Sequence, residues 1–422
     1  MHVAHFIQRC PPALGGSEAY FARLGDSLES HGDSVTVWTT TAVELQQFWK
    51  GESPPTAVGG RLRKYRPLTF PARRYLLKVL SFIPASPWRD LAPCSPVCPA
   101  MWRDAGRYDG PLDAVHATAF PYSFPIACGL RLARRRGVPF LLTPFLHLGD
   151  ERTRRQYTAP HLRKLLLAAD RIFVQTRLEA DAVRDLGAPA NRIVLQGLGV
   201  DPNECTGGTR RQHHEIRIGH LANASVEKGT VDLLRAAAKA WDAGNLFRIV
   251  LAGPEMPNFT RFWNMFTRRD RVERLGVLTD AGKRDFYANI DAFALPSRSD
   301  SFGLVLLEAW ANGKPNLVYR AGGPGELVRD GVDGLHAAVG DVEGLSRQLI
   351  RLATDAQLRR RLGECGRSRI ASEFNWVEKL EIVRRELDAL SSSRDRGAAG
   401  SRCSRGKSRP SRSPAERRAP CA

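Results

Sequence analysis

The sequence predicts an α/β protein built from two doubly wound domains that face each other across a cleft. Three observations carry this reading. Short apolar runs alternate with helically periodic segments from the start of the chain, as parallel sheets with crossover helices require. The alternation gives way to a loop-rich stretch, Asn203 to Glu215, and restarts at Ile216. Several apolar runs also end in polar or Gly-rich loops that lead straight into a helix, which places ligands at the carboxyl ends of strands.

The first half opens on a strand, Val3 to Ile7, then a Pro/Gly loop over 11–16. Ser17 is placed to cap a helix whose Ala19, Tyr20, Ala22, Leu24 and Leu28 recur at helical spacing. His31-Gly-Asp33 ends it, and Ser34 to Trp38 is the next strand, which completes a βαβ unit. Further strands are expected at Ala114–Ala117, Pro139–Thr143, Arg171–Gln175 and Arg192–Leu195, with helices over 124–136 and 160–169. In the second half the order is strand Ile216–His220, helix 229–243, strand Phe247–Ala252, helix 280–288, strand Ala292–Leu295, helix 303–311 and strand Pro315–Val318. The domains are therefore placed at 1–202 and 216–372, with a linker over 203–215. An amphipathic helix follows over 373–390. The segment 44–105, rich in Pro and Arg, has no clear period and is left unassigned.

Composition narrows the classes. With 422 residues and 43% hydrophobic side chains the chain can bury two cores. From Ser391 to Ala422 it is Ser, Arg, Gly, Pro and Ala, too poor in apolar surface to offset ordering entropy, so disorder is expected there. The formal charge is +19, and that tail holds nine Lys/Arg against Asp395 and Glu416. About +12 is left for the folded part, which suits phosphates, anionic lipid or nucleic acid without choosing among them.

The cysteines, among them Cys94 and Cys98 in a Pro-rich loop, show no second pair at zinc-ribbon spacing, and reduced thiols are expected. Met1 to Ile7 lacks the basic and apolar regions of a secretory signal, and no apolar run approaches the ~20 residues that span a bilayer. A cytoplasmic location is expected. The basic run Arg61, Arg63, Lys64, Arg66, Arg73, Arg74 and Lys78 is interleaved with Tyr65, Phe70, Tyr75, Leu76 and Leu77. It reads equally as a docking surface for anionic lipid at the inner membrane face and as an ordinary solvated face.

The strongest local signal is Pro296-Ser-Arg-Ser-Asp300-Ser-Phe-Gly303, followed by Leu-Val-Leu-Leu-Glu308. A buried strand ends in a polar loop and Gly303 opens a helix. The backbone N–H groups of Ser301, Phe302 and Gly303, with the helix N-terminus, are placed to donate to a phosphate or to sugar hydroxyls. Asp300 and Glu308 flank that start, and ionised carboxylates are strong acceptors for paired hydroxyls. Gly15-Gly16 lies in the first strand-to-helix loop, where the missing Cβ lets the backbone approach an anion. Lys228-Gly229 lies after the second domain's first strand, where an ammonium can meet a diphosphate beside a helix N-terminus. Neither G-x-G-x-x-G nor G-x-x-x-x-G-K-[ST] occurs, which argues against redox dinucleotides and P-loop kinases.

These motifs, in this order over about residues 1–390, resemble the retaining family 4 glycosyltransferases of the GT-B fold, glycosyl transferases group 1. Asp300 and Glu308 match the family's E-x7-E region, with Asp in place of the first Glu. The resemblance implies that Asp300 contacts the transferred sugar and Glu308 the ribose of a nucleotide diphosphate sugar. It places His147, in Thr143-Pro-Phe-Leu-His147, beside the reacting centre and gives Gly15, Gly16 and Lys228 to the diphosphate. Leu251-Ala-Gly253-Pro254 resembles the family's Ala-Gly-x-Gly turn, and Ala321-Gly-Gly-Pro-Gly-Glu326 offers amides to donor hydroxyls. His220 stands where the family carries a basic phosphate ligand and is expected to replace it. His116 is a weaker candidate, and Lys283 is read as a surface residue.

The resemblance also implies transfer with retention, a final helix crossing back to the first domain, and a part in cell-envelope polysaccharide synthesis. No Asp-x-Asp metal pair is suitably placed, so no essential metal ion and no cofactor are expected. The acceptor is expected to be lipid-linked, a saccharide or a small molecule, and no specific nucleic acid is expected. A same-fold epimerase or nucleotide-sugar-binding protein is the alternative.

Overall fold

The computed structural model describes residues 1–13, 15–80 and 95–404, with side chains to Ser392. The first domain is an eight-stranded sheet. Its strands are β1 (His2–Phe6), β2 (Ser34–Thr40), β3 (Ala57–Gly59), β4 (Leu62–Tyr65), β5 (Ala114–Thr118), β6 (Phe140–Thr143), β7 (Arg171–Val174) and β8 (Ile193–Leu195). Their order is β3-β4-β2-β1-β5-β6-β7-β8, parallel throughout except for the β3/β4 edge hairpin. The second domain has six strands, β9 (Ile216–Leu221), β10 (Phe247–Ala252), β11 (Val272–Arg274), β12 (Ala292–Leu295), β13 (Asn316–Tyr319) and β14 (Gly334–Ala337). Their order is β11-β10-β9-β12-β13-β14. These are the paired sheets of the GT-B fold.

The central strands β1, β5, β6, β10, β12 and β13 are buried apolar runs, as parallel sheets with both faces covered demand, while the edge strands β3, β8 and β11 are short and more exposed. Strand order reverses at β1/β5 in one domain and at β9/β12 in the other. The crevices at those switch points open at the carboxyl ends of the strands. The loops after β1, β6, β9 and β12 carry Gly15-Gly16, His147, Lys228 and Asp300, and so meet across the cleft.

The unassigned segment 44–105 holds the β3/β4 hairpin and the helices Arg73–Leu80 and Pro99–Ala105. Its elements were illegible because they are short, and the hairpin lies at the sheet edge, where apolar periodicity is weak. Arg73 is buried there, donating to the carbonyls of Phe48 and Ser95. The 203–215 segment is more ordered than a linker. It opens on a helical turn, Pro202–Cys205, and Thr209 and Arg211 donate backbone N–H groups to Asp285 and Asn289.

The last helix runs Trp376–Ser404, past the expected end at 390. It returns to the first domain, where Glu386 pairs with Arg171 at 2.5 Å and the Lys379 carbonyl accepts from Gln196. The first part of the segment expected to be disordered is therefore helical. A started helix is extended at little cost, and no proline interrupts the sequence before Pro410. Residues 405–422 of that tail, and Cys94, lie outside the described residues. Among the described residues, no helix is long and apolar enough to cross a membrane.

Candidate functional site

The second domain supplies most of the charge. After β9 the chain turns at Ser225, whose hydroxyl accepts from the Lys228 backbone N–H. Gly229 follows at φ 74°, where an added Cβ would lie 1.8 Å from the Pro296 carbonyl oxygen. This close approach seats the Lys228 loop on the loop after β12. There the Lys228 ammonium pairs with Asp300 Oδ2 at 2.6 Å. Burial works to raise the Asp300 pKa, but Lys228, His147 and the Ser301 N–H outweigh it, and the carboxyl lies below its usual range.

Gly303, at φ 91°, caps the helix Leu304–Ala311 without a side-chain hydrogen bond. A residue with a Cβ would be strained at that φ. One turn on, the Glu308 carboxylate accepts from Lys283 Nζ at 2.7 Å and from Tyr287 OH at 2.8 Å. Gly322 and Gly323 pack against the backbone of Asp300 and Ser301, and the Gly323 N–H donates to the Asp300 carbonyl at 2.9 Å. A side chain at either position would push the Asp300 loop out of place.

The first domain closes the site from the other side. The helix Gly16–Ser30 points its uncapped N-terminus at the cleft, and a Cβ on Gly16 would come 3.8 Å from Leu304 Cδ1. The starts of the two helices thus lie close together, and a helix N-terminus favours an anion. Beneath Gly15 the Glu18 carboxylate is held by Arg9 at 2.7 Å and by Ser17 Oγ at 2.7 Å.

His147 is reached through Phe145, which sits in the left-handed region at φ 53°. A non-Gly residue there costs about 1–3 kcal/mol, a strain that re-aims the chain after β6. The His147 ring stacks on Tyr157, centroids 4.7 Å apart, and interacts with the Ser299 backbone and the charges of Asp300 and Lys228. Burial pushes its pKa down to about 4, so the imidazole is neutral near pH 7. Gly149 then meets the second domain directly. Its N–H donates to Ser299 Oγ at 3.2 Å, and a Cβ there would fall 2.1 Å from the Arg298 carbonyl oxygen.

Several sequence expectations are corrected. His220 is not available as a phosphate ligand. It points into the core, with Nδ1 2.8 Å from the Ala294 carbonyl and Nε2 2.8 Å from Thr230 Oγ1. Burial lowers its pKa to about 4, and the neutral ring satisfies both partners internally. Phe302 is also buried, 6.4 Å from the Phe374 ring centroid, so only its backbone is left to serve a ligand. Lys283, read as a surface residue, reaches Glu308 instead. Tyr287 was missed although it lies one helical turn after Lys283 and hence on the same face.

Gly253 takes φ 114° and packs on Ala222, where a Cβ would lie 2.2 Å from the carbonyl oxygen. It therefore shapes the loop after β9 as well as its own turn. His116 is buried with Nε2 2.8 Å from Thr143 Oγ1, beneath the His147 loop rather than in the cleft. Among the described residues no group of three or more His, Cys, Asp or Glu side chains is arranged to hold a metal ion.

This constellation can hold an anion between two helix N-termini beside an ammonium, and polar hydroxyls beside two carboxylates. Comparisons with known proteins show the family. Residues 15–199 match the family described as glycosyl transferase 4-like domain, and residues 208–369 match glycosyl transferases group 1. The chain is a GT-B glycosyltransferase.

Its curated relatives include an uncharacterised glycosyltransferase of Methanocaldococcus jannaschii, 26% identical over 66% of this chain and 76% of that one. The sulfoquinovosyl transferase of Arabidopsis thaliana is 24% identical over 91% of this chain and 72% of its own. The N-acetyl-α-D-glucosaminyl L-malate synthase of Bacillus anthracis is 33% identical, but over 37% of this chain and 40% of that enzyme. Among solved structures, sucrose-phosphate synthase from Thermosynechococcus elongatus superposes with a TM-score of 0.72 at 20% identity, covering 93% of this glycosyltransferase and 99% of that chain. Anabaena HepE in complex with UDP-glucose does so at 0.65 and 18% identity, covering 92% and 100%. At these identities the structural likeness speaks for the fold.

Proposed function

We propose that this glycosyltransferase moves a sugar from a nucleoside diphosphate sugar to an acceptor hydroxyl with retention at the anomeric carbon. The observation that carries the reading is the convergence of His147, Lys228 and Asp300 across the cleft, with the starts of the Gly16–Ser30 and Leu304–Ala311 helices close to each other. Lys228 and the Gly15-Gly16 amides take the diphosphate. The ammonium has three N–H donors, so its pairing with Asp300 leaves two for phosphate oxygens. Glu308 accepts from the ribose hydroxyls, held in place by Lys283 and Tyr287. Asp300 and neutral His147 hold the transferred sugar.

In the reaction the bond from the anomeric carbon to the diphosphate oxygen breaks, and the acceptor oxygen bonds to that carbon from the same face. The acceptor proton passes to the leaving diphosphate oxygen. The protein contributes orientation and stabilises charge on the leaving group. No step calls for a metal ion, and turnover is expected to persist in excess chelator. HepE is solved with UDP-glucose, which makes UDP-sugars the first donors to try.

The acceptor side is proposed to sit on the first domain and to lie near a membrane. Tyr75 and Val79 are 75% and 62% exposed, beside exposed Leu68, Phe70 and Leu76, and Arg66 and Arg74 flank them. This surface suits anionic lipid and a lipid-linked acceptor of cell-envelope polysaccharide synthesis. The basic run contributes less to it than its length suggests. Arg61 pairs with Asp26 and Glu29, Arg63 stacks on Trp38 and Tyr108, and Arg73 is buried. Absence of binding to anionic vesicles at low salt would refute the membrane role.

The deciding experiment is a screen of nucleotide sugars, UDP-sugars first, with wild type beside Lys228→Ala and Glu308→Ala. Nucleoside diphosphate released from one donor, and lost in both variants, supports the assignment. No release from any donor, with no nucleotide raising the thermal midpoint, leaves a binding protein or epimerase on this fold.

A further inference from the structure

Glu326 of the second domain reaches across to the first. Its Oε1 accepts the backbone N–H of Arg177 and its Oε2 that of Leu178, both at 2.7 Å. These are the first two residues of the helix Arg177–Asp185, whose N-cap Thr176 takes the N–H of Glu179. One carboxylate from the opposite domain thus satisfies two N–H groups that this helix leaves open, with a charge of the sign its N-terminus favours.

The same helix turn carries a second carboxylate that works within the first domain. Glu179 is buried, and its Oε1 accepts the N–H of Leu146 at 2.7 Å while its Oε2 accepts that of Gln175 at 2.7 Å. Leu146 directly precedes His147. The chain from Glu326 to His147 is therefore contiguous: an interdomain carboxylate, one helix start, a buried carboxylate, and the backbone of the His147 loop.

We infer that Glu326 is a positioning residue, a latch that closes the cleft on the 177–185 helix and through Glu179 registers His147 against Asp300. This rests on the transfer reading above for its consequence in turnover, but the latch itself is a statement about domain closure. Each Glu326 oxygen accepts one N–H of the first domain. Its side chain is exposed, so replacing it leaves both cores intact.

The test uses Glu326→Ala and, from the other side of the contact, Arg177→Pro. Proline is tolerated at the first helical position and removes one donor without removing the helix. Thr176 before it is already extended at φ −138° and ψ 162°, as a residue preceding proline must be. The first measurement needs no activity: the radius of gyration of the full chain by X-ray scattering, with and without UDP. Both variants are expected to be more open than wild type, and the double variant no more open than either alone.

The second measurement is kcat and donor KM. Glu326→Ala is expected to lower kcat about tenfold and leave KM within about twofold, because Lys228 and Glu308 still bind the donor. Unchanged scattering in Glu326→Ala overturns the latch, whether or not the wild type transfers sugar. A wider molecule with unchanged kcat overturns the link to His147. A wild type inactive on every donor, with scattering that still widens, sinks the transfer reading and keeps the latch.

Discussion

Lys228 Nζ and Asp300 Oδ2 are 2.6 Å apart, which joins the loop after the second domain's first strand to the loop that opens its 304–311 helix. The pair sets the electrostatics of the cleft. Lys228 keeps a half-buried carboxylate ionised, and Asp300 holds the ammonium at the place a diphosphate would reach. Lys228→Ala removes the cation that stabilises the leaving group and leaves half-buried Asp300 without its partner. Turnover is expected to fall about 10²–10³-fold, the usual cost of one charge-stabilising donor. Steady-state release of nucleoside diphosphate measures it, and a loss below threefold would count against the assignment.

Glu308 binds Lys283 and Tyr287 through different oxygens. Glu308→Gln keeps the shape but loses the charge that strengthens both hydrogen bonds and the expected ribose contact. Nucleotide affinity should drop about tenfold while kcat falls less. Titration calorimetry with UDP reads this directly, and Tyr287→Phe should show a smaller loss in the same direction.

Gly149 has no room for a side chain against Arg298. The clash in Gly149→Ala lies between domains, so each core is untouched. The variant is expected to melt within a few degrees of wild type and to lose most transfer activity. Full activity would show that the contact seen here is not the closed state used in turnover.

Glu179 supplies a pH dependence with two opposite signs. Burial raises its pKa to about 7, helped by the charge of Glu326 and resisted by the N–H groups of Gln175 and Leu146. Its folded pKa thus lies above the unfolded value of about 4.5. Its contribution to stability is full below that unfolded value and is lost as pH rises through about 7. Activity should move the other way, because the ionised carboxylate holds the His147 loop more firmly than the protonated one. A kcat profile with an acidic limb near pH 7, and its loss in Glu179→Gln, would bear this out. A profile identical in the variant would not.

His220 tests the correction to the phosphate-binding set. Replacing it by Ala leaves the Ala294 carbonyl and Thr230 hydroxyl without their shared partner, at a cost of about 1–3 kcal/mol in stability. Thermal denaturation should show that loss, while UDP affinity stays within about twofold. A large affinity loss in a variant that melts normally would return His220 to the site.

From the sequence alone came the two βαβ domains, the break near 203–215, and the loops bearing Gly15-Gly16, His147, Lys228, Asp300 and Glu308. All of these are local. Apolar periodicity, strand-end glycines and helix starts are written in windows of a few residues, and topology then brings strand ends to one edge. Tertiary structure alone decided which side chains meet across the cleft and which turn inward. β9 is central and covered on both faces, so its residues read as buried whichever way they point, and His220 gave no sign that its ring faces the core. Lys283 and Glu308, Glu326 and the 177–185 helix, and Gly149 and Arg298 are pairs far apart in sequence. Their partnership follows from how two sheets and two domains pack, and no spacing along the chain encodes that.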